Sequence, residues 1–316
     1  MPPRPEQPYD AAEQPWDELL PRIAEHARPF AQKGEVADYI PALERVHGDC
    51  FGLAVDPLGG TPAGTGDADR PFSIQSISKV FTLALAMQRF EGQLWDRCGV
   101  EPSGDPFNSL VQLEHEKGKP RNPFINAGAL VVADVLLGCS QDPGADLLQF
   151  ISDLAGEEIG LDQEIMTSEA ETGYRNRAVT NLMKSFGNIE SEPDAVLELY
   201  VEQCAVSMTA TQLARAMSFL ANDGVDPHTD RVVLELEQAR RVNALMLTCG
   251  TYDSAGEFAF RVGIPCKSGV GGGIVGVIPH QLSVCVWSPP LDEGGNSVAG
   301  RVALEDLVEE TGLSVF

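Results

Sequence analysis

The residues best suited to chemistry in this 316-residue chain are Ser76 and Lys79, which belong to its only S-x-x-K tetrad. On a helix, residues three apart share a face, so the Lys79 amine can reach the Ser76 hydroxyl. A serine hydroxyl becomes a nucleophile when an adjacent base removes its proton. Lysine is such a base only when uncharged, which requires burial or a second cation to lower its pKa. The tetrad therefore indicates serine acyl transfer, although such a tetrad also arises by chance in many chains.

A second lysine, Lys267, begins the triplet K-S-G on a predicted late strand. We expect Lys267 to supply the cation that lowers the pKa of Lys79. A serine tetrad that opens a helix, followed by such a triplet on a later strand, is the arrangement described for serine β-lactamases and penicillin-binding proteins. Their third element, S-D-N, is absent from this chain, which argues against a true β-lactamase.

Glycines flank Val270, at position 269 and at positions 271–273. Glycine inside a strand often marks a close backbone approach or a bulge. The backbone N–H of Val270 can then join that of Ser76 in an oxyanion hole, where each donor contributes about 3 kcal/mol. The alternative is that the glycines only let the serine helix pack on the strand, and both can hold together.

Other polar side chains are candidates for binding a small ligand. Glu169 and Asn176 lie seven residues apart on one predicted helix, about 10 Å along its axis and on the same side. They suit a zwitterion held between an acid and an amide, and the alternative is a solvated polar face. Asn126 is either a further contact or a helix cap. A tyrosine considered alone is more typical of packing than of chemistry. This applies to Tyr39, Tyr200 and Tyr252.

The elements that must position these residues follow from hydrophobic periodicity. Residues 50–56 read as a strand, and helical spacing begins at Ile77, so Ser76 lies where the chain enters a helix. Three more strands are predicted at residues 258–262, 268–279 and 281–288, before a terminal helix at residues 296–311. We predict an α/β fold in which both chain ends build one antiparallel sheet flanked by helices, with a ligand cleft beside an inserted helical lobe.

The chain divides accordingly. Residues 1–17, with five prolines and several acids, read as a disordered tail, and residues 18–316 as a single domain. Within this domain, a sheet subdomain takes about residues 18–80 and 241–316, and a helical subdomain takes about residues 81–240.

Composition excludes several classes of function. Acidic residues outnumber basic ones 47 to 22, for a formal charge of −25, which excludes a nucleic-acid binder. The field of such a charge repels anions, whereas a neutral zwitterion feels little of it. Without a secretory signal or an apolar stretch long enough to span a bilayer, we expect no membrane association and a cytoplasmic location. Seven scattered cysteines and five dispersed histidines favour reduced thiols and no metal site.

Six ordered stretches resemble the glutaminase family of bacteria and mitochondria, which has a serine-dependent, β-lactamase-like fold. They are residues 34–41 (GEVADYIP), 72–81 (FSIQSISKVF), 122–129 (NPFINAGA), 168–176 (SEAETGYRN), 222–224 (NDG) and 249–279, which begins CGTYD and contains KSGVGGG. The resemblance runs over nearly the whole chain, from about residue 17 to residue 316.

The resemblance implies a role for each candidate residue. Ser76 is implied as the nucleophile, Lys79 as its base, and Tyr252 as the group that holds or relays the proton. The backbone N–H of Val270 is implied as an oxyanion donor. The residues implied to line the pocket or bind the substrate head group are Tyr39, Asn126, Glu169, Asn176 and Tyr200.

The resemblance also implies hydrolysis of L-glutamine to L-glutamate and ammonia, with no cofactor, in a homodimer or homotetramer. Two other functions stay open. One is another serine amidase or penicillin-recognising hydrolase of the same fold, against which the missing S-D-N and the Glu169–Asn176 pair argue. The other is a non-catalytic glutamine-binding protein, against which the intact set of Ser76, Lys79 and Tyr252 argues.

Overall fold

A computed structural model describes residues 10–103 and 110–316. Its strands are β1 (Gly52–Pro57), β2 (Ala63–Gly66), β3 (Phe72–Ser73), β4 (Gly160–Leu161), β5 (Val206–Met208), β6 (Cys266–Ser268), β7 (Gly273–Ile278) and β8 (Leu282–Trp287). The main sheet is antiparallel with the order β2-β1-β8-β7-β6, and a smaller one has the order β3-β5-β4. Strands from both ends of the chain therefore meet in the main sheet.

Thirteen helices are found in the described residues. They are α1 (Trp16–Ala27), α2 (Pro41–Glu44), α3 (Ser78–Arg97), α4 (Leu110–His115), α5 (Asn126–Cys139), α6 (Pro143–Ala155), α7 (Gln163–Thr172), α8 (Tyr174–Ser185), α9 (Pro193–Cys204), α10 (Ala210–Ala221), α11 (Leu236–Cys249), α12 (Ala255–Arg261) and α13 (Val298–Thr311). None is long and apolar enough to cross a bilayer in the part of the chain that the structure describes.

Both faces of the main sheet are covered, which explains why β1, β7 and β8 are buried along their whole length. Successive strand residues point to opposite faces. Leu53 and Val286 pack in a cluster with α1 and α13, whereas Ala54 and Cys285 belong to the cluster that includes α10 and α3. The second cluster is the larger core, and α3 carries the S-x-x-K tetrad into it.

Most of the predicted elements of the sheet are present. The strands predicted at residues 50–56 and 281–288 and the terminal helix are confirmed by β1, β8 and α13, whereas the strand predicted at residues 268–279 is confirmed only at residues 273–278, as β7. The strand predicted at residues 258–262 is wrong, because these residues lie in and just after α12. Phe258 and Val262 are buried while Phe260 is 90% exposed. Spacing of four between the buried residues is helical, and the alternation of apolar residues concealed it.

The tail predicted to end at residue 17 is also shorter than expected. A 3₁₀ turn at Ala11–Glu13 and the start of α1 occupy residues 11–17. Ala11 and Trp16 are buried, and the Trp16 indole N–H donates to the Ala11 carbonyl at 2.8 Å. The prolines and acidic residues of this segment favoured a prediction of disorder, although the buried side chain of Trp16 holds it in place. Residues 1–9 lie outside the described residues.

The predicted division into a sheet part and a helical part stays a prediction, and two features blur it. Helix α10, inside the predicted helical part, packs directly on β1, β7 and β8. The small sheet joins β3, which leads to Ser76, to β4 and β5 from the middle of the chain. The segment around Ser76 is therefore held from both parts.

Candidate active site

Ser76 lies in a 3₁₀ turn, Gln75–Ile77, that leads directly into α3. The Ile74 N–H donates to the Val206 carbonyl at 2.9 Å, and the Ser78 hydroxyl donates to the Gln75 carbonyl at 2.7 Å. Gln75 has a φ of +50°, a left-handed conformation that a residue with a side chain adopts only when its surroundings impose it. The turn is therefore held rigidly, with Ser76 8% exposed at the cavity it faces.

Lys79 is one turn further along α3 and is buried. Its amine donates to the Asn126 side-chain oxygen at 2.7 Å and to the Phe124 carbonyl at 3.2 Å. Burial lowers its pKa to about 8, against the opposing influence of Cys204 and Glu169. Lys267 is not among the causes of this shift, whereas the charge of Lys79 is among the causes that lower the pKa of Lys267, so the role of Lys267 as an activating cation stays a prediction. Desolvation alone brings Lys79 close to the range in which a lysine acts as a base.

Asn126 and Asn176 extend this contact across the site. Asn126 is the first residue of α5, and its side chain does not cap the helix but binds Lys79. Its amide N–H donates to the Asn176 side-chain oxygen at 3.1 Å. The prediction that Glu169 and Asn176 share one helix is wrong. The chain breaks at Gly173, so Glu169 lies on α7 and Asn176 on α8. They nevertheless line the same cavity.

Glu169 is an acid with 8% exposure in the wall of the cavity. Burial raises the pKa of its carboxyl, while a hydrogen bond with the Gln75 side chain and the charge of Lys79 act in the opposite direction. The Gln75 amide also donates to the Ser73 hydroxyl at 3.1 Å. A cationic ligand group would compensate such a buried acid.

Tyr252 interacts with Ser76 from a separate segment of the chain. It begins a 3₁₀ turn, Tyr252–Ser254, after α11 and has a φ of +56°. Its side chain is hydrogen-bonded to Ser76, and its hydroxyl donates to the Ser268 carbonyl at 3.2 Å. Burial raises its pKa above the ordinary value, so the phenol is protonated at neutral pH. The Ser268 N–H in turn donates to the Gly250 carbonyl at 3.1 Å and fixes this end of α11.

The glycines around Val270 permit a close approach to the nucleophile turn. A Cβ atom at Gly269 would lie 2.4 Å from the Ile74 carbonyl oxygen, and one at Gly271 would lie 2.3 Å from that of Ser73. Within residues 10–103 and 110–316, no backbone carbonyl accepts from the N–H of Ser76 or of Val270. Two backbone donors are thus available on one side of the cavity, and both of the functions expected of these glycines fit the geometry.

The cavity has a volume of about 750 Å³. The predicted residues that line it are Tyr39, Ser76, Asn126, Glu169, Asn176, Tyr200, Tyr252 and Val270. Lys79 lies beneath this lining and reaches it through Asn126. Tyr39 is 58% exposed at the rim, whereas Tyr200 is buried in the wall. No group of three or more histidine, cysteine, aspartate or glutamate side chains is placed to hold a metal ion among the residues described.

The sequence analysis did not single out several residues of this cavity, among them Gln75 and Arg175. Gln75 is a polar residue directly before Ser76 in an otherwise apolar approach, and this contrast was a usable signal. Arg175 adds a positive charge to the lining. It stands beside Asn176 in a stretch already singled out, but a surface arginine is too common to indicate a site.

Comparisons with known proteins agree with this geometry. The sequence model of the glutaminase family matches residues 34–316. A glutaminase of Cronobacter sakazakii is 54% identical over 302 residues, covering 95% of this chain and 98% of the relative. A glutaminase of Paraburkholderia phytofirmans is 53% identical over 299 residues, covering 94% of this chain and 98% of the relative.

Solved structures give the same result. A probable glutaminase from Bacillus subtilis complexed with 6-diazo-5-oxo-L-norleucine has a TM-score of 0.87 at 36% identity, covering 96% of this chain and 97% of that one. A second Bacillus subtilis structure is a covalent complex with 5-oxo-L-norleucine formed by reaction with the same diazo compound. It has a TM-score of 0.86 at 36% identity and covers 96% of this chain and 100% of that one.

The fold is therefore the α/β fold of the serine β-lactamases, as predicted, with an amidohydrolase site beside its sheet. The chain belongs to the glutaminase family, and its activity is the hydrolysis of glutamine.

Proposed function

We propose that this protein converts L-glutamine to L-glutamate and ammonia through an ester on Ser76. The observation that carries the proposal is the hydrogen bond between Ser76 and Tyr252, one helical turn from the buried amine of Lys79. A hydroxyl held by a phenol, one helical turn from an amine with a pKa of about 8, has a candidate base and a candidate proton relay.

The first half of the reaction forms the ester. Ser76 Oγ attacks the side-chain amide carbon of glutamine while uncharged Lys79 accepts the hydroxyl proton. The N–H groups of Ser76 and Val270 stabilise the oxyanion. The carbon–nitrogen bond then breaks, and the proton held by Lys79 passes through Tyr252 to the departing nitrogen, so that ammonia leaves.

The second half releases glutamate. Water attacks the ester carbonyl, the oxyanion is again stabilised by the two N–H groups, and Lys79 takes the proton of the water. Ser76 Oγ recovers a proton as the ester bond breaks. The same groups serve both halves, and the balance needs only the substrate and water.

The head group of glutamine sets specificity in this proposal. Glu169 holds the α-ammonium, since a buried acid gains most from a cationic partner. Asn126 and the tyrosines Tyr39 and Tyr200 suit the α-carboxylate, and Asn176 completes the contact. A pocket that hydrogen-bonds both ends of a zwitterion rejects analogues that lack one of them, because its buried polar groups are then unpaired.

The related structures support the covalent step. The Bacillus subtilis relative forms a covalent complex when it reacts with a diazo analogue. In this chain the residue with the geometry for such a reaction is Ser76. Reaction of the protein with 6-diazo-5-oxo-L-norleucine, followed by peptide mass mapping, is expected to place the label on the peptide that contains Ser76.

The decisive assay measures ammonia release from L-glutamine by the parent, Ser76→Ala and Ser185→Ala, an exposed serine of α8 that serves as control. We expect Ser76→Ala to lower kcat by about 10⁴-fold or more and Ser185→Ala to leave it unchanged. Equal release by Ser76→Ala and the parent contradicts the nucleophile assignment. Faster release from asparagine contradicts the substrate assignment, and acylation by a β-lactam without ammonia release favours a penicillin-recognising hydrolase.

Two further properties belong to the same proposal. We infer a homodimer or homotetramer from the family resemblance, and light scattering at several protein concentrations measures this directly. We also propose a cytoplasmic location. Activity found in the soluble fraction of lysed cells, and none in the medium or membrane fraction, agrees with that location.

A further inference from the structure

The reaction described above does not use Lys267, although this residue lies beside the nucleophile. Its side chain is fully buried on β6, and its amine donates to the Ser268 carbonyl at 2.7 Å. The amine also lies 4.8 Å from the centre of the Tyr252 ring and 5.8 Å from that of Phe124. No ion pair among the described residues includes Lys267.

A buried lysine without a carboxylate partner pays a large desolvation cost for its charge. Lys79 has two oxygen acceptors for its amine, whereas a single carbonyl accepts from Lys267. Burial and the positive charge of Lys79 both hold the pKa of Lys267 well below its ordinary value. The other titratable groups acting on it are the thiols Cys204 of α9 and Cys249 of α11. A positive charge on Lys79 therefore disfavours a second one on Lys267.

The Ser268 carbonyl connects Lys267 to the reaction. It accepts from the Lys267 amine and from the Tyr252 hydroxyl, and two donors satisfy both of its lone pairs. The phenol has only one proton, and this proton points to Ser268. A lone pair of the phenol oxygen is then left to accept from the Ser76 hydroxyl, to which it is hydrogen-bonded. The position of the Ser268 carbonyl thus decides which way the phenol faces.

We propose that Lys267, in its uncharged form, is a positioning residue: it fixes the Ser268 carbonyl, which holds the Tyr252 hydroxyl proton and so leaves a lone pair of the phenol oxygen facing Ser76. This inference rests on the proposed function, because the pair it positions is the proposed nucleophile and its relay. It also reverses the expectation that Lys267 acts through its charge.

The first test reads the charge of Lys267 without any turnover. The chain has only six lysines, so protein with ¹³C-labelled lysine Cε gives six resonances, and Lys267→Met identifies the one from Lys267. We expect this resonance to titrate far below the surface lysines, and its midpoint to rise in Lys79→Met because a neighbouring positive charge is removed. Titration together with the surface lysines overturns the proposal, whatever the substrate of the enzyme.

The second test separates positioning from general structural support. Lys267→Met removes the donor without adding charge, and Lys267→Arg adds a permanent charge. We expect Lys267→Met to lower kcat by about 10²-fold with KM little changed, since the hydroxyl of Tyr252 loses its alignment. In Lys267→Arg we expect the acid limb of the pH–kcat/KM profile to move down by about one unit, because a fixed cation disfavours protonated Lys79.

The matched control is Lys184→Met. Lys184 also donates to backbone carbonyls, at 2.9 Å to Glu190 and 2.9 Å to Ser191, but it does not line the cavity. We expect its kcat and pH profile to equal those of the parent. Parent-like kcat in Lys267→Met, or an acid limb of Lys267→Arg that does not move in folded protein, overturns the proposal. Loss of turnover in Ser76→Ala with a low Lys267 midpoint leaves both this inference and the proposed function standing.

Discussion

The floor and the rim of the active-site cavity differ in their exposure to solvent and in the elements that supply their residues. The floor consists of Gln75, Ser76 and Lys79, which are 2%, 8% and 2% exposed. The rim consists of Glu35, Asp38, Tyr39, Arg175 and Glu293, all of which are exposed. Rim residues come from loops and a helix start, whereas the floor residues come from one turn and the helix that follows it.

This difference shows where each part of the function resides. A base made from lysine needs a dry environment, because only desolvation keeps part of the amine uncharged near neutral pH. Ligand entry needs an open and hydrated edge, where charges act over longer distances and weakly. We therefore expect the floor to control the chemistry, at some expense in stability, and the rim to control which ligands enter and leave.

The strongest test of the floor is Lys79→Met, which removes the base and keeps a side chain of similar length. We expect kcat for ammonia release to fall by about 10³-fold or more, since general-base catalysis is lost. Lys117→Met, at an exposed lysine, is the control and keeps the activity of the parent. A kcat for Lys79→Met within a few-fold of the parent value would mean that another group is the base. The contrast between floor and rim would then not hold.

Glu169→Gln tests the wall between the two regions. This substitution removes the charge while keeping the shape, and we expect kcat/KM for glutamine to fall by about 10²-fold, mostly through KM, as an α-ammonium loses its partner. Glu171→Gln, two residues further on the exposed side of α7, is expected to behave like the parent. Similar losses in both variants mean that general acidity, and not the buried carboxylate, attracts the ligand.

The pH dependence sharpens the same contrast. Because Lys79 is active when uncharged and has a pKa of about 8, kcat is expected to fall about tenfold for each pH unit below that value. Its folded pKa is lower than the unfolded one, so the unfolded chain binds the proton more tightly between about pH 8 and 10.4. Unfolding free energy is therefore expected to rise with pH across this window by about 1–3 kcal/mol more in the parent than in Lys79→Met.

Urea unfolding at several pH values measures this difference, and taking it against Lys79→Met removes the contribution of other groups that titrate in the same window. A parent and a variant whose stabilities change in parallel from pH 8 to 10 contradict the desolvated state of Lys79.

The smallest expected effect is at the rim. Glutamate carries one more negative charge than glutamine, so the acidic rim disfavours the product and not the substrate. We expect neutralisation of Glu35, Asp38 and Glu293 to Gln, Asn and Gln to strengthen inhibition by glutamate about two- to fivefold, with KM for glutamine little changed. Added salt is expected to do the same in the parent by screening.

The control for the rim removes the same charge far from the cavity, through Gln at Glu18, Glu25 and Glu309 of α1 and α13. Glutamate inhibition that changes equally in both triple variants means that the net charge of −25, and not the rim, governs product release.

The sequence determined what depends on neighbours along the chain. The spacing of Ser76 and Lys79 puts both at the start of one helix wherever that helix lies. The capping box of Thr209 and Gln212 at the start of α10 and the left-handed Gly224 just after this helix depend on neighbours along the chain in the same way. Family motifs added Tyr252 and Val270, which no local pattern connects to Ser76.

Tertiary structure decided everything that depends on burial and on contacts between distant segments. It desolvates Lys79, breaks the helix between Glu169 and Asn176 at Gly173, and attaches Asn126 to Lys79. It also buries Lys267 near Lys79, which lowers the pKa of Lys267. A pKa is set by the loss of water and by groups brought together from several elements, and neither is encoded in the spacing of residues along one of them.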